Sequence, residues 1–512
     1  MDEQPRTVVF GLDGAHFELI EPWIEDGDLP NIQRAIDEGM SGDLQSVLPP
    51  VTSPNWKAYL TGKNPGQFGI FWWENIDIKN RRIYYPNNRK NRETEYWEIL
   101  AEKERTGVMG VPTTHPPKHA GEFVVSGAPD GQNDGFTYPA ELEERLQNEY
   151  DYKVTVKSEL RATPDKAAEE ILDLIDTRFK TAKNLFDEHE LDFLQVTTFY
   201  INSLHHYFWE HEYTKRGWEI IDKHLGEFLA KDCDVILMSD HGSNEIESVF
   251  HINSWLEEEG YLELDADAAK LAHQIGINRD RILRVLSPLG LQGLAKRFAP
   301  QTILNLVPDE QGELPRESKT SNIDWEQTDA IASGQGPIYL TLEKDGSEYE
   351  QIRNQIIEKL KEVTGPRGES IISNVHRGED IYSGQYLDDA PDIVVEQNRG
   401  IHIQGSIGRE DVFSDPTTDG WRGENKRNGL FVALGPSFRT GTIENLSILD
   451  LAPTLLHLRG HKIPTDMDGV VRQDVYAPDS EPASKDPAER SISSKEHEIR
   501  RIRQVAREVF TN

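Results

Sequence analysis

A chain of 512 residues with a single cysteine, Cys233, cannot form an internal disulfide. Cys233 precedes an apolar stretch in DCDVILMSD, where burial is its expected fate. No apolar run approaches the ~20 residues that a bilayer crossing needs, so no transmembrane helix is expected. The opening MDEQPRTVVFGLDG has neither a basic n-region nor an apolar h-region. No signal peptide is read there, and a cytoplasmic location is expected. Positive charge is also scarce: 55 Lys and Arg against 90 Asp and Glu leave a formal net charge of −35. An acid excess spread along the chain repels nucleic-acid backbones and anionic membranes. Neither nucleic acid nor membrane insertion is therefore expected, although the same charge also suits plain solubility or high salt. Hydrophobic content is only 36%. The length accommodates several domains or one elaborated α/β domain. There is no internal repeat.

What is present is a series of short apolar runs that end in polar residues. TVVFGLDG (7–14) reads as a strand delivering Asp13, and DVILMSDHG (234–242) as one delivering Asp240 and His241. FLQVTTFYIN (193–202) reads as a strand ending at Asn202. AIASGQGPIYLTL, DIVVEQ and GLFVALGP also read as strands. Amphipathic helical stretches at 164–190 and 349–363 lie between the runs. The alternation predicts an α/β fold with a large, mostly parallel central sheet flanked by helices. In such sheets ligands bind beyond the carboxyl ends of the strands, where Asp13, Asn202, Asp240 and His241 all fall. Residues 261–325 break the pattern and read as a mainly helical cap insertion or a loop. Residues 477–494 have linker composition, and 495–512 read as a charged C-terminal helix, leaving 1–476 as the main body.

Taken singly, each motif has a plain structural reading. Asp13 in LDG could be a turn aspartate. Thr52 and Ser53 precede a proline in TSPNW, and a hydroxyl there could simply cap a helix. The same place suits a nucleophile, because helix N-termini favour negative charge. Asp240 and His241 in SDHG offer a carboxylate and an imidazole, a common metal-binding pair. In INSLHHYFWEH, Asn202 and His206 are four apart and share a helical face, whereas His205 points elsewhere. Those histidines could equally be packed core residues. Lys57, Lys426 and Arg427 could neutralise an anionic substrate or be surface charge. Trp72 and Trp73 could stack on a base or sugar, or lie in the core.

Read in order, LDG, TSPNW with LTGKNPGQFGI, NSLHH, SDHGS and the late GENKRNGLFVALGP resemble the alkaline phosphatase superfamily, most nearly its type I phosphodiesterase/nucleotide pyrophosphatase family. GVPTTHPP, FTYPAEL, HINSWLEEEGYL and the ILDLAPTLLHLRG ending support the likeness, which covers roughly residues 6–475. The resemblance implies a metal-dependent hydrolase of phosphate esters. Asp13, Thr52, Asp240 and His241 match the ligands of one metal ion, with Thr52 as nucleophile and a covalent phospho-threonine intermediate. It implies one or two divalent ions, with zinc expected and manganese, magnesium or calcium as alternatives.

The second metal is where the chain departs from the pattern. The positions of its three ligands are Asn202, His206 and Asn425, so two are amides rather than carboxylate and imidazole. A phosphate-steadying asparagine of the family falls on Trp73, with Asn75 out of register, and a frequent histidine falls on Phe68. Three outcomes follow: one well-held metal, a weak second metal, or a catalytically impaired anion-binding protein. A sulfatase or phosphomutase is a further alternative, although sulfatases ordinarily carry cysteine or serine where this chain has Thr52. A small phosphorylated substrate is expected: a nucleotide, a sugar-nucleotide, or a phosphorylated glycan or lipid head group.

Overall fold

The computed structural model describes residues 4–84, 93–264, 323–409, 411–416 and 420–491. The cap insertion expected at 261–325 lies, for 265–322, outside the described residues, as does the C-terminal helix expected at 495–512. The chain divides into two compact units. The first comprises Met1–Phe68, Asn88–Glu245 and Thr418–Asn512; the second comprises Gly69–Asn87 and Ile246–Thr417.

A ten-stranded sheet forms the first unit. Its strands are β1 (Arg6–Leu12), β2 (Met40–Gln45), β3 (Thr106–Val111), β4 (Phe123–Ser126), β5 (Thr137–Tyr138), β6 (Phe193–Thr198), β7 (Cys233–Met238), β8 (Asn428–Leu434), β9 (Gly441–Thr442) and β10 (Leu446–Ser447). The spatial order is β9-β2-β8-β7-β1-β6-β3-β4-β5, with β10 pairing β2. The sheet is mostly parallel, as the alternation of strands and helices predicts. β8 is an exception, antiparallel to both β2 and β7. Continuous burial along β1, β6 and β7 is what a sheet covered on both faces requires. Val8, Phe10, Leu194, Val196, Val235 and Leu237 join one apolar cluster. Helices α2 (Pro164–Glu188) and α4 (Glu212–Leu229) add Ile171, Ile175, Phe179, Trp218 and Ile221 to that cluster. Cys233 is buried and unbridged.

Register sets the functional edge. Gly11 lies opposite Thr197 of β6 on one side and Met238 of β7 on the other, all three strands parallel. The residues that follow these strands therefore emerge along one edge of the sheet. Asn202 is not at a strand end, as its apolar run suggests. β6 stops at Thr198, and Asn202 lies in the first turn of α3 (Tyr200–Tyr207).

Two of the apolar runs belong to the second unit. AIASGQGPIYLTL makes two antiparallel strands, Ala330–Ala332 and Pro337–Leu340, and DIVVEQ makes Ile393–Gln397 beside them. With Ile372–Arg377 these form a four-stranded sheet of the second unit, covered by the helix Ser347–Glu362 through Ile356, Ile357 and Leu360. Residues 477–491, linker-like in composition, hold a 3-10 turn at Pro482–Ser484 and a two-residue strand, Glu489–Arg490, paired with Ile463–Pro464. No helix among the described residues is long and apolar enough to cross a membrane.

Asp234 at the head of β7 is 1% exposed and accepts the Ser437 amide at 3.0 Å. Burial raises its carboxyl from 3.8 to about 6. A raised folded-state value means stability that is full below pH about 4 and is lost as pH rises through about 6. Asp234→Asn keeps an acceptor for Ser437 and removes the titration. The variant should match the parent near pH 4 and exceed it by up to about 3 kcal/mol above pH 7. Denaturant unfolding at both pH values measures this, and a difference that does not change with pH counts against it.

Candidate functional site

The turn after β1 places Asp13 at the sheet edge with no solvent exposure. Gly14 follows with φ +66°, and a Cβ there would lie 2.2 Å from Asn202 Oδ1 and 2.9 Å from Ser243 Oγ. Only glycine fits that turn. After β7, Asp240 and His241 arrive at the same place, both fully buried. Asp240 Oδ1 accepts the Gly14 amide at 3.2 Å, which ties the two turns together. His241 Nδ1 faces the carbonyl of Gly242 at 2.9 Å. Donating a proton there leaves the Nε2 lone pair directed at the site.

Helix α1 (Thr52–Thr61) completes the group. Its N-cap position is Val51, and no side chain caps it. The Thr52 hydroxyl instead lies 3.2 Å from His241 Nε2 and 3.4 Å from Asp13 Oδ1. The helix is buried along its whole length, its polar residues as well as its apolar ones. Asn55 fixes the approach to it: its Oδ1 accepts the Val47 amide at 2.7 Å, and its Nδ2 donates to the carbonyls of Pro49 and Val51 at 3.0 Å.

Asp13, Asp240 and His241 each offer a ligating atom, and those atoms lie within 4.8 Å of one another. Nε2 of His241 is 3.3 Å from Asp240 Oδ2 and 3.7 Å from Asp13 Oδ1. Burial raises the Asp13 carboxyl from 3.8 to about 7, against hydrogen bonds from Trp56, Asn202 and Thr52 that lower it. Burial and the charge of Asp13 hold Asp240 well above its ordinary range. Burial lowers His241 to about 3, so its imidazole is neutral. Asp240 Oδ2 is buried without a hydrogen-bond partner. Two desolvated carboxylates, one orphaned oxygen and a neutral imidazole are short of positive charge, and a divalent cation fits that donor set.

Two residues that sequence reasoning did not single out, Trp56 and Ser243, support the cluster. Trp56 donates its indole N–H to Asp13 Oδ2 at 2.7 Å. Trp56 is one helical turn from Thr52, so both side chains share a face, a spacing visible in TSPNW. The ring passes over Gly11, where a Cβ would lie 2.6 Å from it and 2.4 Å from Thr197 Oγ1. Ser243 donates to the Gly14 carbonyl at 2.7 Å. His205, set aside as pointing elsewhere, is fully buried; its Nε2 accepts the Trp218 indole N–H at 3.1 Å.

The remaining sequence candidates are placed differently. Asn202 donates through Nδ2 to Asp13 Oδ1 at 2.8 Å. His206 is not part of the three-residue cluster; its Nδ1 bonds the Gly423 carbonyl at 2.6 Å, and its ring stacks on Trp421 at 4.0 Å. Asn425 lies opposite Ser243 in a two-stranded ribbon, Gly242–Glu245 with Gly423–Lys426. Lys57 is not surface charge: it is fully buried and ion-paired with Glu95 at 2.6 Å, which Lys118 also approaches at 3.2 Å. Lys426 pairs with Glu18 at 3.2 Å. Trp72 and Trp73 are half-buried in the second unit, where the Trp72 indole donates to Gln335 at 2.9 Å.

The model of the type I phosphodiesterase / nucleotide pyrophosphatase family matches residues 7–425. The chain belongs to that family. Among solved structures, it is similar to phosphonoacetate hydrolase from Sinorhizobium meliloti 1021, a member of the alkaline phosphatase superfamily. The complex with phosphonoformate superposes with a TM-score of 0.55 at 14% identity, covering 88% of this chain and 95% of that one. The complex with phosphonoacetate gives 0.53 over the same shares. No curated protein matches the chain. Asp13, Asp240 and His241 of this family member form a group that could hold a metal ion.

Trp56→Phe keeps a ring over Gly11 and removes the donor to Asp13. Loss of a group that orients a ligand typically costs ten- to a hundredfold in metal affinity. The variant should bind zinc at least about tenfold more weakly in competition with a chromogenic chelator. Unchanged affinity would deny Trp56 any part in holding Asp13.

Proposed function

We propose that this type I phosphodiesterase hydrolyses small phosphate esters with Thr52 as its nucleophile. The observation that carries the reading is the Thr52 hydroxyl at 3.2 Å from His241 Nε2 and 3.4 Å from Asp13 Oδ1, at the first residue of a helix. Asp13, Asp240 and His241 would hold the metal, which would lower the hydroxyl pKa of Thr52 and polarise the phosphoryl oxygens. Thr52 Oγ1 attacks phosphorus, the bond from phosphorus to the leaving oxygen breaks, and a phospho-threonine forms. Asp13 Oδ1, at 3.4 Å, is placed to accept the departing hydroxyl proton. The first-turn amides of α1 favour the negative charge gathering beside them. Water then attacks phosphorus and regenerates the threonine.

A small anion suits this reading. The acidic chain disfavours polyanions, and the two similar solved structures hold phosphonoformate and phosphonoacetate. Zinc is the expected ion, because a site of two carboxylates and an imidazole accepts it readily.

Thr52→Ala tests the nucleophile. With bis-p-nitrophenyl phosphate and p-nitrophenyl phosphate as probes, turnover should fall by about a thousandfold or more, since nothing replaces the attacking oxygen. The bound-metal content should persist. Retained hydrolysis would sink Thr52 as nucleophile. Absence of turnover in both the parent and the variant, with equal affinity for inorganic phosphate, would favour an anion-binding protein.

A further inference from the structure

The two-ion arrangement implied by the resemblance asks for ligands at Asn202, His206 and Asn425, and the geometry at Asn202 does not fit. Its Nδ2 donates to Asp13 Oδ1 at 2.8 Å. Charge fixes which amide atom is which, because a turned amide would set its carbonyl oxygen against the Asp13 carboxylate. The Oδ1 is packed against Gly14, where a Cβ would lie 2.2 Å away, and it is 3.5 Å from Ser243 Oγ. Asn202 thus presents hydrogens, not a lone pair, toward Asp13, and an N–H cannot ligate a cation. The Nδ1 of His206 meets the Gly423 carbonyl, which leaves Nε2 as the acceptor just as in His241, but His206 lies outside the group of ligands gathered around Asp13. Among the described residues, the one group of three or more acidic, histidine or cysteine ligands within reach of a common ion is Asp13, Asp240 and His241.

We infer that this chain holds one divalent ion, and that the Asn202 amide takes the part a second cation would play toward Asp13. The inference rests on the metal-dependent reading above. Two cluster carboxylates balance one divalent ion in charge. The amide supplies partial positive charge to Asp13 Oδ1 at no net charge, which a second ion could supply only with further anionic ligands beside it. Asn202 is on this account a positioning residue: it holds the carboxylate that the metal shares, and it does not touch the reacting atoms.

Elemental analysis of the full chain, stripped and then separately reloaded with zinc or manganese and dialysed, reads the count directly. One ion per chain is expected. In Asn202→Asp a second carboxylate faces Asp13 with no donor between them. Its metal-free form should melt several degrees below the metal-free parent, recover on adding zinc, and retain more than one ion. Two tightly held ions in the parent would overturn the inference and leave the proposed hydrolase intact. No ion in the parent would overturn both. An Asn202→Asp protein with the parent's metal-free melting temperature and one ion would overturn the role given to Asn202. The parent's count stands as a test even if that variant does not fold.

Discussion

One carboxylate organises the edge of the sheet. Asp13 accepts the Trp56 indole on one oxygen, and Asn202 and Thr52 approach the other. These donors come from two helices that start at positions 52 and 200, and Asp240 arrives from a third segment of the chain. A fully buried carboxylate is costly unless its oxygens are bonded or balanced by a cation. Burying Asp13 therefore requires that α1, α3 and the turn after β7 all be in place, and the geometry of Thr52 is a by-product of meeting that requirement. The hydroxyl is held beside Asp13 and His241 by the packing that satisfies its neighbour.

The sheet was largely legible beforehand, for a local reason. Continuous apolar runs of six or seven residues, bounded by Asp-Gly or Asp-His, are what a parallel strand covered on both faces looks like. The family resemblance then gathered Asp13, Thr52, Asp240 and His241, and the structure brings these four together. Illegible were features that depend on which segments meet. GLFVALGP has the composition of its parallel neighbours, yet β8 runs against them. AIASGQGPIYLTL and DIVVEQ have the same apolar character as β1 and build a separate sheet in the second unit. Apolar content reports burial and says nothing of which sheet a strand joins.

The side chains around Asp13, Asp240 and His241 show the same limit more sharply. Trp56 reads as one more aromatic in TSPNW until Gly11 is seen to leave room for its ring. Lys57 carries a charge that composition assigns to the surface, and a buried Glu95 draws it inward. Asn202 looks from its alignment with a family aspartate like a weakened ligand. Its hydrogen bond to Asp13 makes it a donor, a difference that exists only in the orientation of one amide.

The position of β8 also bears on how the chain is made. This strand, Asn428–Leu434, lies between β2 and β7, so the middle of the sheet is completed by one of its last-synthesised strands. Until those residues have left the ribosome, β2 and the apolar β7 each present an unpaired edge while Asp13, Asp240 and His241 are already synthesised. Such edges are aggregation-prone, and pairings so distant in sequence form slowly. The nascent chain must therefore keep nearly two hundred residues, from Met238 of β7 to Asn428 of β8, out of that gap. The fold carries a kinetic burden during translation that the finished, fully paired sheet no longer shows.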